Sequence, residues 1–247
     1  MPTSRRVVLI TGAARRIGAA IARRLHADGY DVALHYRDSA ADMHGLADEL
    51  EAGRQGSTLM LQADLAVFDR LPELVARTVG HFGRLDALVN NASAFYPTPV
   101  GGATPAQWEE LFAVNARAPF FLAQAAAPHL KESRGAIVNL VDIYAERPLA
   151  QHPLYCMAKA ALLMATRSLA LELAPDVRVN AVAPGAILWP EQDEMDSNKQ
   201  AALLSRTPLA RTGSVEEIAE TVRWLLRDAT YVTGQVIRVD GGRMLAG

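Results

Sequence analysis

The feature of this chain that most limits its fold is a regular alternation of short apolar runs with longer amphipathic ones. VVLI (7–10), VALHY (32–36), TLMLQ (58–62), ALVN (87–90), AIVNLV (136–141), VRVNAVA (177–183) and QVIRV (235–239) read as strands. Most are nearly continuous in apolar residues, as strands are when helices cover both their faces. Helical patterns fill the intervals at 15–28, 41–53, 68–82, 105–131, 153–174 and 215–227. Such alternation needs right-handed crossovers and leads to a parallel, doubly wound sheet. The expectation is a single α/β domain spanning residues 1–247 with helices on both faces of the sheet.

Half of the 247 residues are hydrophobic, enough for one sizeable core. The net charge of −2 argues against a nucleic-acid surface. A lone Cys156 can form no intrachain disulfide, which fits a reducing cytosol. The apolar run behind MPTSRR is too short for a signal peptide, and no segment reaches the roughly 18 uninterrupted apolar residues of a membrane span. The reading is a soluble cytoplasmic protein with no nucleic-acid or membrane partner. The polar, acidic stretch LWPEQDEMDSNKQ (188–200) breaks the alternation, and with its continuation to 212 it is expected to form a lid over a binding site.

ITGAARRIG (10–18) follows the first strand and opens a helix. Gly12 permits a tight bend, Gly18 permits close helix–strand packing, and N–H groups at the helix start face a pyrophosphate. Arg16 stands at the middle position, where a third glycine is expected. At the end of the second strand a carboxylate would bind the ribose hydroxyl of NAD, and a basic residue the 2′-phosphate of NADP. Arg37 and Ser39 in LHYRDSA (34–40) can both bond a phosphate and favour NADP, while Asp38 weakens that preference if it points inward. Asp64, after the third strand, is placed to reach an adenine edge or to cap a helix.

Tyr155 and Lys159 stand one helical turn apart behind Pro153, which suits a first helical turn. A nearby ammonium stabilises phenolate, so Lys159 is expected to lower the Tyr155 pKa from about 10 and make it a usable proton donor. Asp142 ends the fifth strand, where it can hydrogen-bond the tyrosine, bind a cationic or amidine-like substrate edge, or cap a local turn. Asn115 precedes Pro119 by four residues, so its carbonyl loses a helical N–H partner. That carbonyl is then free to hold a water that extends a proton path from Lys159, unless the proline only kinks the core. Cys156 beside Tyr155 is better explained by packing than by reactivity. No metal site is expected.

These residues together resemble the short-chain dehydrogenase/reductase family along the whole chain. The resemblance rests on TG-x5-G (11–18), NNAS (90–93), Asn115, Tyr155-x3-Lys159, PG (184–185) and VTGQVIRVDGG (232–242). It implies a Rossmann-type seven-stranded sheet and usually a homotetramer. Three departures from the common pattern, Arg16, Ser93 and Asp142 where most members have a catalytic serine, are similar to pteridine reductases, as is NNASAFYPTP (90–99). The run PGAILWPE (184–191) resembles bacterial members of that group, including dihydromonapterin reductases.

Carried over by position, the resemblance implies NADPH contacts from Gly12, Arg15, Arg16, Ile17 and Gly18 in the turn and from Tyr36, Arg37 and Ser39. It adds Asp64 and Leu65, Asn91, Ala92 and Ser93, Tyr155 and Lys159, and Pro184 and Gly185. Arg16, Ser93, Phe95, Asp142 and Tyr155 would meet a pterin, with Phe95 stacking it against the nicotinamide. Asp142, Tyr155, Lys159 and Asn115 would form the catalytic group. The expected function is NADPH-dependent reduction of a pterin or dihydropterin at a C=N bond. The alternatives are a dihydromonapterin or dihydrofolate reductase, a 3-oxoacyl-carrier or sugar reductase, and a non-enzymatic dinucleotide sensor. A carboxylate at 142 polarises a carbonyl oxygen less well than a neutral hydroxyl donor, which argues against the carbonyl reductases. The helix of 153–174 is apolar nearly all round beyond Lys159, which points to a subunit interface.

Overall fold

The computed structural model describes residues 5–187 and 203–246. Seven parallel strands form one sheet in the order β3-β2-β1-β4-β5-β6-β7. They are β1 (Val7–Ile10), β2 (Asp31–Tyr36), β3 (Thr58–Gln62), β4 (Ala87–Asn90), β5 (Ala136–Leu140), β6 (Arg178–Pro184) and β7 (Val236–Val239). Each strand coincides with an expected apolar run to within a residue or so. The helices are α1 (Arg16–Ala27), α2 (Ala40–Gly53), α3 (Arg70–Phe82), α4 (Pro105–Phe112), α5 (Ala118–Ser133), α6 (Pro153–Glu172) and, as the next long one, α7 (Val215–Arg227). This is the Rossmann-type, doubly wound arrangement that the alternation predicts.

Alternate strand residues feed two cores. Val8 and Ile10 of β1 pack with Ile21, Leu25 and Val222 of α1 and α7 on one face. Val7 and Leu9 pack with Leu71, Leu74, Leu122 and Leu169 of α3, α5 and α6 on the other. The two-residue period of a strand thus gives each layer of helices its own apolar partner. Helix α6 is long and apolar enough to cross a membrane, with a mean hydropathy of 1.3, yet half of that window is buried inside the fold. It is a core helix here, and Met157, Met164 and Leu171 remain exposed on its outer side.

One expected element is corrected. The continuous helix of 105–131 is two helices joined by a π-helical turn over Ala113–Arg117, in which the Ala118 N–H reaches back to the Ala113 carbonyl. Pro119 lies in the first turn of α5, where its missing N–H costs least, so the chain widens one turn ahead of it. The expected lid falls mostly outside the described residues, which resume at 203.

Candidate active site

The strand order reverses between β1 and β4, and the loops leaving their carboxyl ends lie side by side. Ligands bind at such a switch point in open α/β sheets. The Thr11 hydroxyl accepts the N–H groups of Asn91 and Ala92 at 2.9 and 3.0 Å. The Asn91 amide in turn donates to the carbonyls of Thr11 and Gly12, both at 2.9 Å. The β1 turn and the β4 loop are therefore one hydrogen-bonded unit.

Both glycines have a steric reason. Gly12 has a φ of +62°, and a Cβ there would lie 2.9 Å from the Ala92 Cα. A Cβ on Gly18 would overlap the Gly12 carbonyl oxygen and come within 2.7 Å of the Asn91 amide nitrogen. Arg16 takes the left-handed backbone that explains the expected glycine: its φ is +53°. It is exposed, and no described residue pairs with it.

A cleft of about 620 Å³ opens over this turn. Its lining brings together most of the expected cofactor residues: Gly12, Arg15 to Gly18, Tyr36, Arg37, Ser39, Asp64, Leu65 and Asn91 to Ser93. Phe95, Tyr96 and Glu110 line it as well, and Tyr96 donates its hydroxyl to Glu110 at 2.8 Å. Tyr155, Lys159, Pro184 and Gly185, also expected to meet the cofactor, do not line it. Gly185 instead packs against Asp240, where a Cβ would lie 2.7 Å from the Asp240 Cα.

Arg37, on the rim, is not a lone cation. Its Nε donates to Asp38 at 2.6 Å, and both side chains are largely exposed. Ser39 is the N-cap of α2, but its hydroxyl makes no capping bond. Asp64 accepts the Ala66 N–H at 2.9 Å, so it holds a local turn while also lining the cleft.

Beside the inner end of the cleft lies a second group. The Ser93 hydroxyl donates to the Asn115 side-chain oxygen at 2.7 Å, and the Asn115 amide donates to the Ala94 carbonyl at 2.9 Å. Asn115 sits in the π-helical turn and is fully buried, so its side chain locks the 93–94 segment. Asp142 does two of the things expected of it. One carboxyl oxygen accepts the Tyr144 N–H at 2.9 Å and the other accepts the Tyr155 hydroxyl at 2.7 Å. Lys159, 2% exposed, donates to the Leu140 carbonyl at 2.8 Å, with Nζ 5.8 Å from the centre of the Tyr155 ring. A buried chain from Asn90 to Asn139 at 2.8 Å, and from Asn139 to Thr166 at 2.9 Å, ties β4 and β5 to α6 and so fixes that helix.

The expected pKa direction for Tyr155 is corrected. Burial, followed by the adjacent Asp142 charge and its hydrogen bond, holds the phenol well above its ordinary value. Burial also raises the Asp142 carboxyl and brings Lys159 down to about 8. The Asp142 carboxylate, in direct hydrogen-bond contact with the phenol, adds its repulsion of phenolate to the cost of burial.

Phe95 is 56% exposed and packs edge-on against Tyr155, with ring centres 4.8 Å apart. His152 stacks on it at 4.7 Å and 10°. An exposed aromatic face beside a proton donor suits a flat heterocycle. Cys156 is free, and its sulfur accepts the Leu149 N–H at 3.3 Å. His152 and His35 are site residues that no sequence motif marked. A polar residue inside the apolar run VALHY was the available signal for His35.

A family model described as enoyl-(acyl carrier protein) reductase matches residues 12–243. Pteridine reductase 1 from Leishmania tarentolae is 41% identical, over 97% of this chain and 96% of that one. A granaticin polyketide synthase putative ketoacyl reductase 2 from Streptomyces violaceoruber is 38% identical, over 97% and 96%. The 3-oxoacyl-(acyl-carrier-protein) reductase FabG of Staphylococcus aureus is 35% identical, over 95% and 96%. Kinship of this extent implies a nicotinamide dinucleotide, and a cleft lined by Gly12 and Gly18, where a Cβ would clash, fits one. This chain belongs to the short-chain dehydrogenase/reductase family.

Proposed function

We propose that this chain is an NADPH-dependent pteridine reductase. The observation that carries the reading is the Tyr155–Asp142 hydrogen bond, set directly against the exposed ring of Phe95. A carboxyl group in this position serves a nitrogen heterocycle, which needs a proton on a ring nitrogen and offers an amidine-like edge to bind. The 41% identity to a pteridine reductase supports the same class.

Bound NADPH supplies the hydride. Arg37, Ser39 and the glycine turn would hold the dinucleotide, and Arg16 and Ser93, which line the same cleft, would contact it and the substrate. Phe95 presents the stacking face. Tyr155 holds the proton for the ring nitrogen. In the ionised pair its hydroxyl points at Asp142. Once Asp142 is protonated, the carboxyl becomes the donor and the phenol is free to donate outward. Burial of the carboxyl favours that state. Lys159 keeps a positive charge beneath the pair, and Asn115 holds Ser93 in place.

The exposed Met157, Met164 and Leu171 on α6 support a homo-oligomer, a tetramer by family habit. The lone Cys156 supports a cytoplasmic setting. The ketoacyl reductases among the relatives favour a second reading, reduction of a 3-oxoacyl thioester. NADPH consumption measured with biopterin, dihydrobiopterin, dihydromonapterin, dihydrofolate and a 3-oxoacyl thioester tests both. Turnover confined to the pterin-type acceptors is expected. Turnover confined to the thioester would replace this reading with the second.

A further inference from the structure

His35 has no part in the proton path, yet it is bonded on every side. It belongs to β2 and is 2% exposed. Its main-chain carbonyl accepts the Ala13 N–H at 2.8 Å. Its ring Nδ1 accepts the Gly12 N–H at 3.2 Å, and Nε2 donates to the Ala63 carbonyl at 3.1 Å. These partners require the Nε2-protonated tautomer. One residue thus joins the carboxyl ends of three adjacent strands: the phosphate turn after β1, β2 itself, and the Ala63–Asp64 corner after β3. Burial brings the ring down to about 4, so it stays neutral and Nδ1 keeps its lone pair near neutral pH.

Filling space in an apolar strand does not require these bonds, since a leucine has comparable volume. A leucine would leave the part-buried Gly12 N–H and the buried Ala63 carbonyl without these bonds. The two groups it would release are the peptide that sets the left-handed bend at Gly12, which lines the cleft, and the carbonyl of the residue before Asp64, which lines it too.

We infer that His35 is a positioning residue for the dinucleotide site, holding the Gly12 peptide and the Ala63–Asp64 corner in the geometry that receives the cofactor. This rests on the cofactor assignment above. A site already in its bound shape loses less freedom on binding, so the effect of His35 falls on affinity rather than on the chemical step.

The test is NADPH and NADH titration by fluorescence, without substrate, on the unsubstituted chain and on His35→Asn, His35→Gln and His35→Leu, each with a thermal melt. Asparagine can keep an acceptor near Nδ1 for Gly12, and glutamine can keep a donor near Nε2 for Ala63. We expect His35→Leu to weaken NADPH about tenfold and His35→Asn to stay within about threefold, with His35→Gln between them. The KM for NADPH should follow these values while kcat at saturation stays within about twofold. Equal weakening in His35→Leu and His35→Asn, or unchanged affinity in a folded His35→Leu, would overturn the inference. Should His35→Leu fail to fold, equal affinities for His35→Asn and His35→Gln would overturn it. If the unsubstituted chain binds neither nucleotide, the cofactor assignment falls too, whereas equal binding by all variants sinks only the role of His35.

Discussion

The Tyr155 hydroxyl donates to Asp142 across 2.7 Å, with Tyr155 buried, Asp142 half-buried and the Phe95 ring packed edge-on against Tyr155. That bond makes the phenol and the carboxyl one titrating unit with apparent pKa values that belong to the pair. In the proposed reaction the unit is the proton store. Removing either member should stop pterin reduction without unfolding the chain. Tyr155→Phe and Asp142→Ala are each expected to lower kcat about 10²- to 10⁴-fold, the range for loss of a positioned general acid. Steady-state rates with a circular dichroism spectrum for each variant check this. Near-normal turnover in either variant would remove the pair from the mechanism.

The same unit sets a pH dependence. Burial raises the Asp142 carboxyl and holds Tyr155 high, so the competent form is the one that keeps its proton. Activity is therefore full at lower pH and falls as pH rises through the pair's apparent pKa. Lys159, brought down to about 8, loses its charge at the upper end of that range. Asp142→Asn should remove the carboxyl's contribution and leave only the alkaline limb. A kcat–pH profile rising with pH in the unsubstituted chain would contradict the sign.

Asp38 competes for the guanidinium that a 2′-phosphate would use. Its bond to the Arg37 Nε is 2.6 Å, but both groups are exposed, so the pair is worth only about 0.2–1 kcal/mol. Asp38→Asn should free Arg37 and remove a like charge from the phosphate. We expect NADPH affinity to rise about three- to tenfold, with NADH little changed. Titration of both nucleotides at low salt measures it, and an unchanged ratio would show that Arg37 does not meet the phosphate.

Arg16 is held at a φ of +53°, a backbone that costs a non-glycine residue roughly 1–2 kcal/mol. Arg16→Gly is expected to raise the melting temperature while weakening the binding of NADPH and pterin. Lower stability together with unchanged binding would show that the arginine has a structural role only.

The fold was legible because the sheet is buried on both faces. Its strands are unbroken apolar runs, and the helices between them have room for clear periodicity. The turn glycines, Tyr155, Lys159 and Asp142 were legible because each occupies a fixed step after a strand or along a helix. Three features were hidden for physical reasons. The π-helical turn at Ala113–Arg117 follows from where Pro119 falls in the register, which hydrophobic periodicity does not record. The pKa direction at Tyr155 is set first by burial and then by the Asp142 charge, and the four-residue spacing to Lys159 records neither. His35 read as one more strand residue, since its ring partners lie just beyond the ends of two other strands.

The central claim is that the site around Asp142 and Tyr155 reduces a pterin rather than a carbonyl. Its most direct test is the initial rate of NADPH oxidation with dihydrobiopterin as the sole acceptor, compared with a 3-oxoacyl thioester under the same conditions. The account predicts a kcat/KM for the dihydropterin at least about a hundredfold above that for the thioester, within what a polar site discriminates. A thioester rate that equals or exceeds the dihydropterin rate would contradict it.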